Sequence, residues 1–425
     1  MLPTTLAQFF VPFASLFLQE PKEEPDNVLR LELRQLHAVS SSAQVVFADV
    51  SAPISLADHT YTLRSRRTRR HRPASLDAFS QARSASVRFA QTLDIPWDED
   101  EVEGPDVESR ETLLQLAKIT NNAYVPPDDP QWYDLGGEYN VSYPFGWEPD
   151  DDGFRGHVFA TPDNKTVVLS IKGTSASFIG GGGPTSKKDK LNDNLLFSCC
   201  CARVDWTWTP VCGCYRAGGK CDINCLQQSL AEDSLFYPVG TNLYNNLTYL
   251  YPESNIWIVG HSLGGALAGL IGVTFGAPVV AFESPGEKMA AGRLHLPSPP
   301  STHHITHVYH TADPIAMGTC NGVLSSCALG GYAMESRCHL GKSIVYDTVS
   351  NLSWAVDIRT HTIVNVIEKL LNEPWPPSVE VGREVPEAIA EDDCEGASYA
   401  CLIPATFTHR TLQECYGWEF GDFPA

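Results

Sequence analysis

The sequence predicts an α/β protein built on a mostly parallel central sheet. Apolar runs typical of strands occur at residues 166–171, 256–259, 278–282 and 305–309, and helical stretches separate several of them. Strands that alternate with helices indicate crossover connections between parallel neighbours. The chain has 425 residues, of which 43% are hydrophobic, so it is long enough for one large domain with extensions.

Changes in composition divide the chain into four predicted segments. Residues 1–20 are apolar enough for a signal sequence or a membrane anchor, although no Lys or Arg precedes the apolar run to set its orientation. Residues 21–105 predict a strand-rich N-terminal extension that ends in an acidic linker. Residues 106–373 predict the α/β domain, beginning with a helix at about residue 106, and residues 374–425 an acidic, cysteine-containing tail.

Two oppositely charged runs lie within the N-terminal extension. Residues 64–72 contain six arginines, and residues 98–103 contain five acids. The arginine run is either a contact for anionic lipid head groups or, in the reading we favour, a solvated loop or an address signal. The acidic run predicts the linker.

Charge and cysteine content indicate the environment of the protein. A formal net charge of −21 argues against a nucleic-acid partner, which needs a basic face to neutralise phosphates. Thirteen cysteines are many for a reducing compartment and favour an oxidising lumen of the secretory pathway. Four glycosylation sequons, at Asn140, Asn164, Asn246 and Asn351, agree with that location.

Seven of the cysteines lie in one insertion between residues 199 and 225. Their close spacing could hold zinc, but disulfides are favoured in an oxidising lumen, so we expect neither a metal nor another cofactor. Smaller groups occur at residues 320–338 and 394–415. Because thirteen is odd, at least one thiol is free or forms an intermolecular bond.

The strongest chemical signal is the sequence Gly-His-Ser-Leu-Gly at residues 260–264. A predicted strand precedes it and a helix of small residues follows, the arrangement that holds a serine hydroxyl above the sheet edge in α/β-hydrolases. We therefore predict an α/β-hydrolase fold with Ser262 as the nucleophile. The alternative is a glycine-rich turn in a hydrolase fold without catalytic activity.

A serine nucleophile of this fold needs an acid and then a histidine later in the chain. Asp313 follows a predicted strand and should emerge at the same sheet edge as Ser262, although it could instead serve only in an Asx-type turn. The histidines after Asp313 are His339 and His361. We favour His361 as the base because it lies in a loop just before an apolar helix, whereas His339 lies in a cysteine-containing loop.

Two backbone N–H groups must stabilise the oxyanion that forms when a serine attacks an ester. One donor comes from the residue after the nucleophile, here Leu263. The second should follow an early strand, and Thr174 is our candidate because Gly173 allows close approach of the backbone. An ordinary turn at the end of a strand is the alternative for this loop.

Several motifs in a fixed order together resemble a known family. They are residues 111–117 (ETLLQLA), 143–149 (YPFGWEP), 172–174 (KGT), 197–203 (FSCCCAR), 260–265 (GHSLGG) and 310–315 (HTADPI). The chain, from about residue 61 to its C-terminus, resembles the fungal autophagy-related vacuolar lipases, which are themselves similar to class 3 lipases.

This resemblance implies a function and a location. It implies that Ser262, Asp313 and His361 hydrolyse phospholipid or triacylglycerol esters and lyse autophagic and multivesicular-body vesicles in the vacuole. It also implies that lipid membranes are the partners and that the protein is a glycosylated, single-pass type II membrane protein delivered through endosomes. The alternatives are a non-catalytic membrane-binding protein on a hydrolase fold, which would be expected to lack a triad residue, or a carboxylesterase or peptidase.

Overall fold

The computed structural model describes residues 28–40, 44–50, 63–125, 129–133, 153–175, 186–205, 208–233, 236–391, 415 and 417–423. Its strands are β1 (Val28–Leu29), β2 (Glu32–Val39), β3 (Val45–Asp49), β4 (Leu63–Pro73), β5 (Trp97–Pro105), β6 (Gly156–Ala160), β7 (Thr166–Ile171), β8 (Tyr215–Arg216), β9 (Lys220–Asp222), β10 (Asn255–His261), β11 (Val279–Phe282), β12 (Ile305–His310), β13 (Lys342–Tyr346), β14 (Ala388–Ala390) and β15 (Glu419–Gly421). Its α-helices are α1 (Leu76–Phe89), α2 (Arg110–Asn122), α3 (Ser186–Phe197), α4 (Ile223–Asp233), α5 (Phe236–Leu250), α6 (Leu263–Phe275), α7 (Lys288–Arg293), α8 (Ser326–Gly330), α9 (Thr348–Leu352), α10 (Ile363–Asn365) and α11 (Pro376–Val379). A 3-10 turn (Ile358–His361) precedes α10, and a π-helical turn (Val366–Leu370) follows it.

A nine-stranded sheet forms the centre of the fold, in the order β14-β13-β12-β11-β10-β7-β6-β2-β3. The five strands from β13 to β7 run parallel, and antiparallel strands flank them on both sides. The sheet is thus mixed, with a parallel centre. Parallel strands place their carboxyl ends at one edge, where the residues that follow β10 and β12 can meet. This architecture confirms the predicted α/β-hydrolase class.

Part of the N-terminal extension belongs to the central sheet. β2 pairs with β6, and β3 pairs with β2 at the outer edge. Leu33 and Leu36 on β2 are buried. β1, β4 and β5 instead form a separate three-stranded sheet. The extension therefore supplies strands to two sheets.

The charged runs of the extension pair with each other, which corrects the predictions of a solvated arginine loop and an acidic linker. β4 carries the arginines and runs antiparallel to β5, which carries the acids. Arg70 lies 2.7 Å from Asp100, and Arg72 lies 3.3 Å from Asp98. Opposite charges on facing strands attract across the ladder, so runs that look solvated singly form a hairpin together.

The core lies on both faces of the central sheet because successive side chains of a strand point to opposite sides. On β10, Ile256 and Ile258 contribute to one apolar cluster, whereas Trp257 and Val259 contribute to the other. α5 and α6 pack into the first cluster and α2 into the second. α2 begins a few residues later than predicted because the hydroxyl of Ser109 accepts a hydrogen bond from the helix N-terminus.

The cysteine-rich insertion is closed by disulfides, as predicted. Disulfides that join two described residues include Cys200–Cys221, Cys201–Cys212, Cys214–Cys225, Cys199–Cys415 and Cys320–Cys327, and Cys338 is also disulfide-bonded. The sulfurs of Cys201, Cys212 and Cys214 lie close together, but each belongs to a disulfide. A metal needs thiolate ligands, so this trio does not favour the zinc alternative.

The predicted membrane segment lies outside the described residues, and three of the four glycosylation sequons lie within them. No helix within the described ranges is both long and apolar enough to cross a bilayer. The predicted signal or anchor (residues 1–20) and Asn140 lie outside the described residues. Asn164 and Asn351 are exposed, whereas Asn246 is partly buried on α5 and donates a hydrogen bond to the carbonyl of Asn242. Glycosylation stays a prediction at all four sequons.

Candidate active site

Ser262 occupies the sharp turn between β10 and α6. Its backbone angles, φ 58° and ψ −131°, lie in a region that side-chain-bearing residues rarely adopt. The turn can be this tight because of its glycines: a Cβ on Gly264 would lie 2.3 Å from the carbonyl oxygen of Ile171. The result is the strand–turn–helix geometry that the motif predicts, with Ser262 at the carboxyl edge of the parallel strands.

His361 and Asp313 form a hydrogen-bonded chain with Ser262, and these three residues are called the triad below. Nε2 of His361 lies 2.9 Å from Oγ of Ser262, and Nδ1 of His361 lies 2.7 Å from Oδ2 of Asp313. Asp313 is fully buried, and the N–H of Ile315 donates to its other oxygen at 2.8 Å. The structure thus brings together the three residues that the sequence singled out for nucleophile, base and acid.

Asp313 is held in its ionised form. Burial pushes the pKa of this carboxyl upward, but the attraction of His361 and the hydrogen bond from its ring outweigh burial and lower the pKa to about 2. An ionised Asp313 accepts a hydrogen bond from the N–H at Nδ1 of His361. Nε2 is then free to accept the proton of Ser262, the orientation that a general base needs.

The two predicted oxyanion segments flank Ser262. Leu263 is the first residue of α6, and the first N–H groups of a helix have no partner within it and favour negative charge. The other segment contains Thr174. A Cβ on the adjacent Gly173 would lie only 3.1 Å from the Cβ of Ser262, so this loop runs directly against the serine. The donor roles of Leu263 and Thr174 stay predictions.

Two carboxylates on α3 hold the Thr174 loop, and the sequence reasoning missed both. The hydroxyl of Thr174 donates to Asp193 at 2.6 Å, and the N–H of Ser175 donates to Asp189 at 2.8 Å. The ammonium of Lys172 is buried 3.2 Å from Asp189. Burial raises the pKa of Asp193 to about 8 and lowers that of Lys172. A lysine directly after a mostly apolar strand was the signal that a buried partner exists.

His261, the second residue of the motif, holds the backbone of the base. Its Nε2 donates a hydrogen bond to the carbonyl of His361 at 2.7 Å, and its Nδ1 accepts a hydrogen bond from the hydroxyl of Tyr124 at 2.7 Å. Burial lowers the pKa of His261 to about 3, so the ring stays neutral and can donate from one nitrogen and accept at the other. No sequence signal connects His261 with Tyr124, which lies 137 positions away.

A second serine–histidine–carboxylate group lies in the interior; we call Ser284, Glu287, His307, His339 and Glu391 the buried cluster. Oγ of Ser284 lies 2.8 Å from Nδ1 of His307, whose Nε2 lies 3.0 Å from Glu287. His339 donates to the carbonyl of Ser284 and lies 3.1 Å from Glu391. His339, the alternative base of the sequence analysis, therefore belongs to this cluster, whereas His361 contacts Ser262.

Similarity to known proteins extends over most of the chain. The family model of class 3 lipases matches residues 199–318, which include Ser262 and Asp313. A Cryptococcus neoformans var. neoformans serotype D protein named "Putative lipase ATG15" is 50% identical over 367 residues, which are 77% of this chain and 70% of the relative. Relatives of the same name from Mycosarcoma maydis and Candida glabrata are 48% and 41% identical over 78% and 85% of this chain, and over 66% and 69% of their own lengths.

Solved lipase structures are more distant. The Lip2 lipase of Yarrowia lipolytica is 16% identical and aligns over 57% of this chain and 82% of its own, with a TM-score of 0.29. A Rhizomucor miehei lipase in complex with its propeptide is 12% identical over 62% of this chain and 79% of its own, also with a TM-score of 0.29. At this distance the assignment of the fold rests on the sheet order and on the turn at Ser262.

Proposed function

Since the chain belongs to the family of fungal lipases named ATG15, we propose that its triad hydrolyses the ester bonds of membrane phospholipids or triacylglycerols. The observation that carries this proposal is the hydrogen-bonded chain from Ser262 through His361 to the buried Asp313. A serine at a strained strand-to-helix turn, with a base and an ionised acid in line, is equipped for acyl transfer.

In the first half of the proposed reaction, the acyl group moves to the enzyme. Oγ of Ser262 attacks the ester carbonyl carbon while Nε2 of His361 takes the hydroxyl proton. Asp313 stays ionised and stabilises the resulting imidazolium. The N–H groups of Leu263 and Thr174 bind the oxyanion, and His361 then gives its proton to the departing alcohol, which leaves an acyl ester on Ser262.

In the second half, water releases the fatty acid. His361 takes a proton from a water molecule that attacks the acyl carbon, and the same two N–H groups stabilise the second oxyanion. His361 then returns the proton to Oγ as the bond between Ser262 and the acyl group breaks. The fatty acid leaves, and the serine and the neutral histidine are restored.

The proposed setting is the lumen of the vacuole, where the enzyme would lyse autophagic and multivesicular-body vesicles. The autophagy-related name of the relatives supports this setting. The disulfides of the described residues suit an oxidising lumen, and the exposed sequons at Asn164 and Asn351 suit glycosylation there. We further propose that residues 1–20 act as a signal or as a single-pass type II anchor for delivery through endosomes.

Release of fatty acid from phospholipid vesicles and from a triacylglycerol emulsion tests the proposal, with the full chain and its Ser262→Ala variant side by side. We expect the wild-type protein to release fatty acid from at least one of the two lipids and the variant to release almost none. The ratio of the two wild-type rates would rank the substrate classes.

Other outcomes would point to the alternatives. Equal rates for the wild-type protein and Ser262→Ala would remove Ser262 as the nucleophile. A protein that binds vesicles but hydrolyses no ester would be a membrane-binding protein on a hydrolase fold. Activity limited to soluble short esters would indicate a carboxylesterase.

A further inference from the structure

Glu283 lies at the sheet edge, between the two strands that precede Ser262 and Asp313 in the chain. It directly follows β11, which pairs with β10 on one side and β12 on the other. Its backbone N–H donates to the carbonyl of Val308 on β12, and its φ of 42° is one that side-chain-bearing residues rarely adopt. Glu283 has no solvent-exposed surface. The chain thus holds a carboxyl group in the interior at a strained position.

The surroundings of this carboxyl offer it few hydrogen-bond donors. The backbone N–H of His310 donates to Oε2 at 3.4 Å, and Oε1 receives no hydrogen bond from the described residues. Nε2 of His310 lies 3.7 Å from Oε1 but donates instead to the carbonyl of Thr360 at 3.2 Å. The carboxyl of Asp313 also lies within side-chain hydrogen-bonding reach. Glu283 therefore faces the acceptor oxygens of Asp313 and can form a hydrogen bond with them only if its own carboxyl is protonated.

The proton of this carboxyl pair belongs on Glu283. Two buried carboxylates in contact repel each other, so one of them keeps a proton. Asp313 is favoured for the negative charge because the ring of His361 and the N–H of Ile315 donate to it. Burial and the neighbouring Asp313 raise the pKa of Glu283 well above its usual range.

We propose that Glu283 is a positioning residue of the triad and that its protonated carboxyl donates a hydrogen bond to Asp313. This inference rests on the catalytic role proposed above for Ser262, His361 and Asp313. The bond disperses the negative charge of Asp313, which then stabilises the imidazolium form of His361 less strongly.

The other titratable groups that face the pair do not supply the missing proton. They are His310 on β12 and His261 on β10, with Lys369 near His310. Tyr309 on β12 also interacts with Glu283, but its hydroxyl donates to Glu391. Burial lowers the pKa of His261 to about 3 and also lowers that of His310, so both rings are neutral near pH 7. Glu283 is thus left to carry the proton itself.

The pH profile of kcat/KM on a soluble short-chain ester tests the inference with Glu283→Ala and Glu283→Gln. Alanine removes the donor, so the acid limb of the profile should move to higher pH by roughly half a unit to one unit. Glutamine keeps an N–H donor and should restore the wild-type limb. An acid limb that stays in place or moves to lower pH in Glu283→Ala would overturn the proposal, since an ionised Glu283 predicts the downward shift.

Two controls keep the result interpretable. Glu391→Gln removes a partly buried acid away from the triad and should leave the acid limb unchanged. Only activity that Ser262→Ala abolishes is analysed, so a failure of the proposed function would appear separately, as activity that this variant retains.

A second measurement covers the case in which Glu283→Ala does not fold. The infrared spectrum of the wild-type protein at pH 7 should contain the carbonyl stretch of a buried, protonated carboxylic acid that is missing from Glu283→Gln. Identical spectra in this region would mean that Glu283 is ionised and would overturn the proposal.

Discussion

The triad and the buried cluster contain the same types of side chain in nearly the same spacing, but we propose a catalytic role only for the triad. The hydroxyls of Ser262 and Ser284 lie 2.9 Å and 2.8 Å from an imidazole nitrogen. Ser262 lies at a strained turn against a helix N-terminus and is 7% exposed, whereas Ser284 is 1% exposed. The contrast teaches that serine–histidine distance alone does not identify a nucleophile; its turn and surroundings must be considered too.

The buried cluster has a structural role of its own. His339 and Glu391 form an ion pair, and Tyr309 and Ser343 also donate to Glu391. Glu391 directly follows β14, the antiparallel edge strand of the central sheet. These polar contacts therefore fasten the chain that follows β14 to the central sheet.

The largest expected difference between the two groups is the effect of removing the serine. Ser262→Ala should lower kcat by a factor on the order of 10⁴ to 10⁶, because no other group can form the acyl intermediate. Ser284→Ala should change kcat by less than about threefold and lower stability by about 1 kcal/mol, since it removes one buried hydrogen bond. Initial rates of ester hydrolysis and thermal unfolding of both variants measure this contrast. Comparable losses of kcat in the two variants would contradict the distinction between the triad and the buried cluster.

Removing the acid should give the next largest difference. Asp313→Asn keeps the shape but favours the wrong tautomer of His361, so kcat should fall by about 10⁴-fold at pH 7. Glu287→Gln is the matched change in the buried cluster and should alter kcat only a few-fold. Rates at saturating substrate for both variants check this expectation. A severe loss in Glu287→Gln with a normal folded structure would tie the buried cluster to catalysis.

A smaller effect is expected from crowding the loop beside Ser262. A Cβ on Gly173 would lie 2.2 Å from the hydroxyl of Tyr124 and 2.3 Å from the carbonyl of His261, so Gly173→Ala should displace the Thr174 loop. Loss of one oxyanion donor predicts a fall in kcat of about 10²-fold or more. Gly213→Ala is the control, because its Cβ would meet no atom within 4 Å. Unchanged rates in Gly173→Ala would exclude Thr174 as a donor.

The contrast also separates what the sequence could predict from what it could not. Ser262 was recognisable because the elbow is local: a strand, two glycines and a helix are adjacent in the chain. Asp313 and His361 followed from the chain order of this fold. The pairing of Ser284 with His307 and that of His339 with Glu391 depend on segments brought together only by folding, so no local pattern indicates them.

The β4–β5 hairpin shows the same limit. Each charged run alone is typical of a solvated segment, and only the pairing of the two explains why both form strands. The strained position of Glu283 could not be foreseen either, because its φ angle is set by the neighbouring strands and not by its own conformational preference.

The smallest expected effect is the pH dependence of stability from the His339–Glu391 pair. Burial lowers the pKa of His339, but Glu391 outweighs burial and raises it from 6.5 to about 9; this contribution is complete below about pH 6.5 and is lost as pH rises through 9. The pKa of Glu391 is lowered from 4.5, because the hydrogen bond and charge of His339 outweigh burial. Its contribution is complete above about pH 4.5 and is lost as pH falls further.

Stability should therefore be highest between about pH 4.5 and 6.5 and should decline by about 1–3 kcal/mol toward pH 9. Chemical denaturation at pH 5.5 and 8.5 measures this decline. Glu391→Gln removes the charge that His339 faces, so the variant should be less stable at pH 5.5 and should lose less on going to pH 8.5. An equal decline in both proteins would show that this pair does not set the pH dependence.

Covalent labelling with an alkyl phosphonate ester that traps activated serines tests most directly which of the two groups is the active site. We predict one adduct per chain, on the peptide that contains Ser262, together with loss of ester hydrolysis, and no adduct when His361 is replaced by alanine. An adduct on Ser284, or full lipid hydrolysis by a protein whose Ser262 stays unlabelled, would contradict this account.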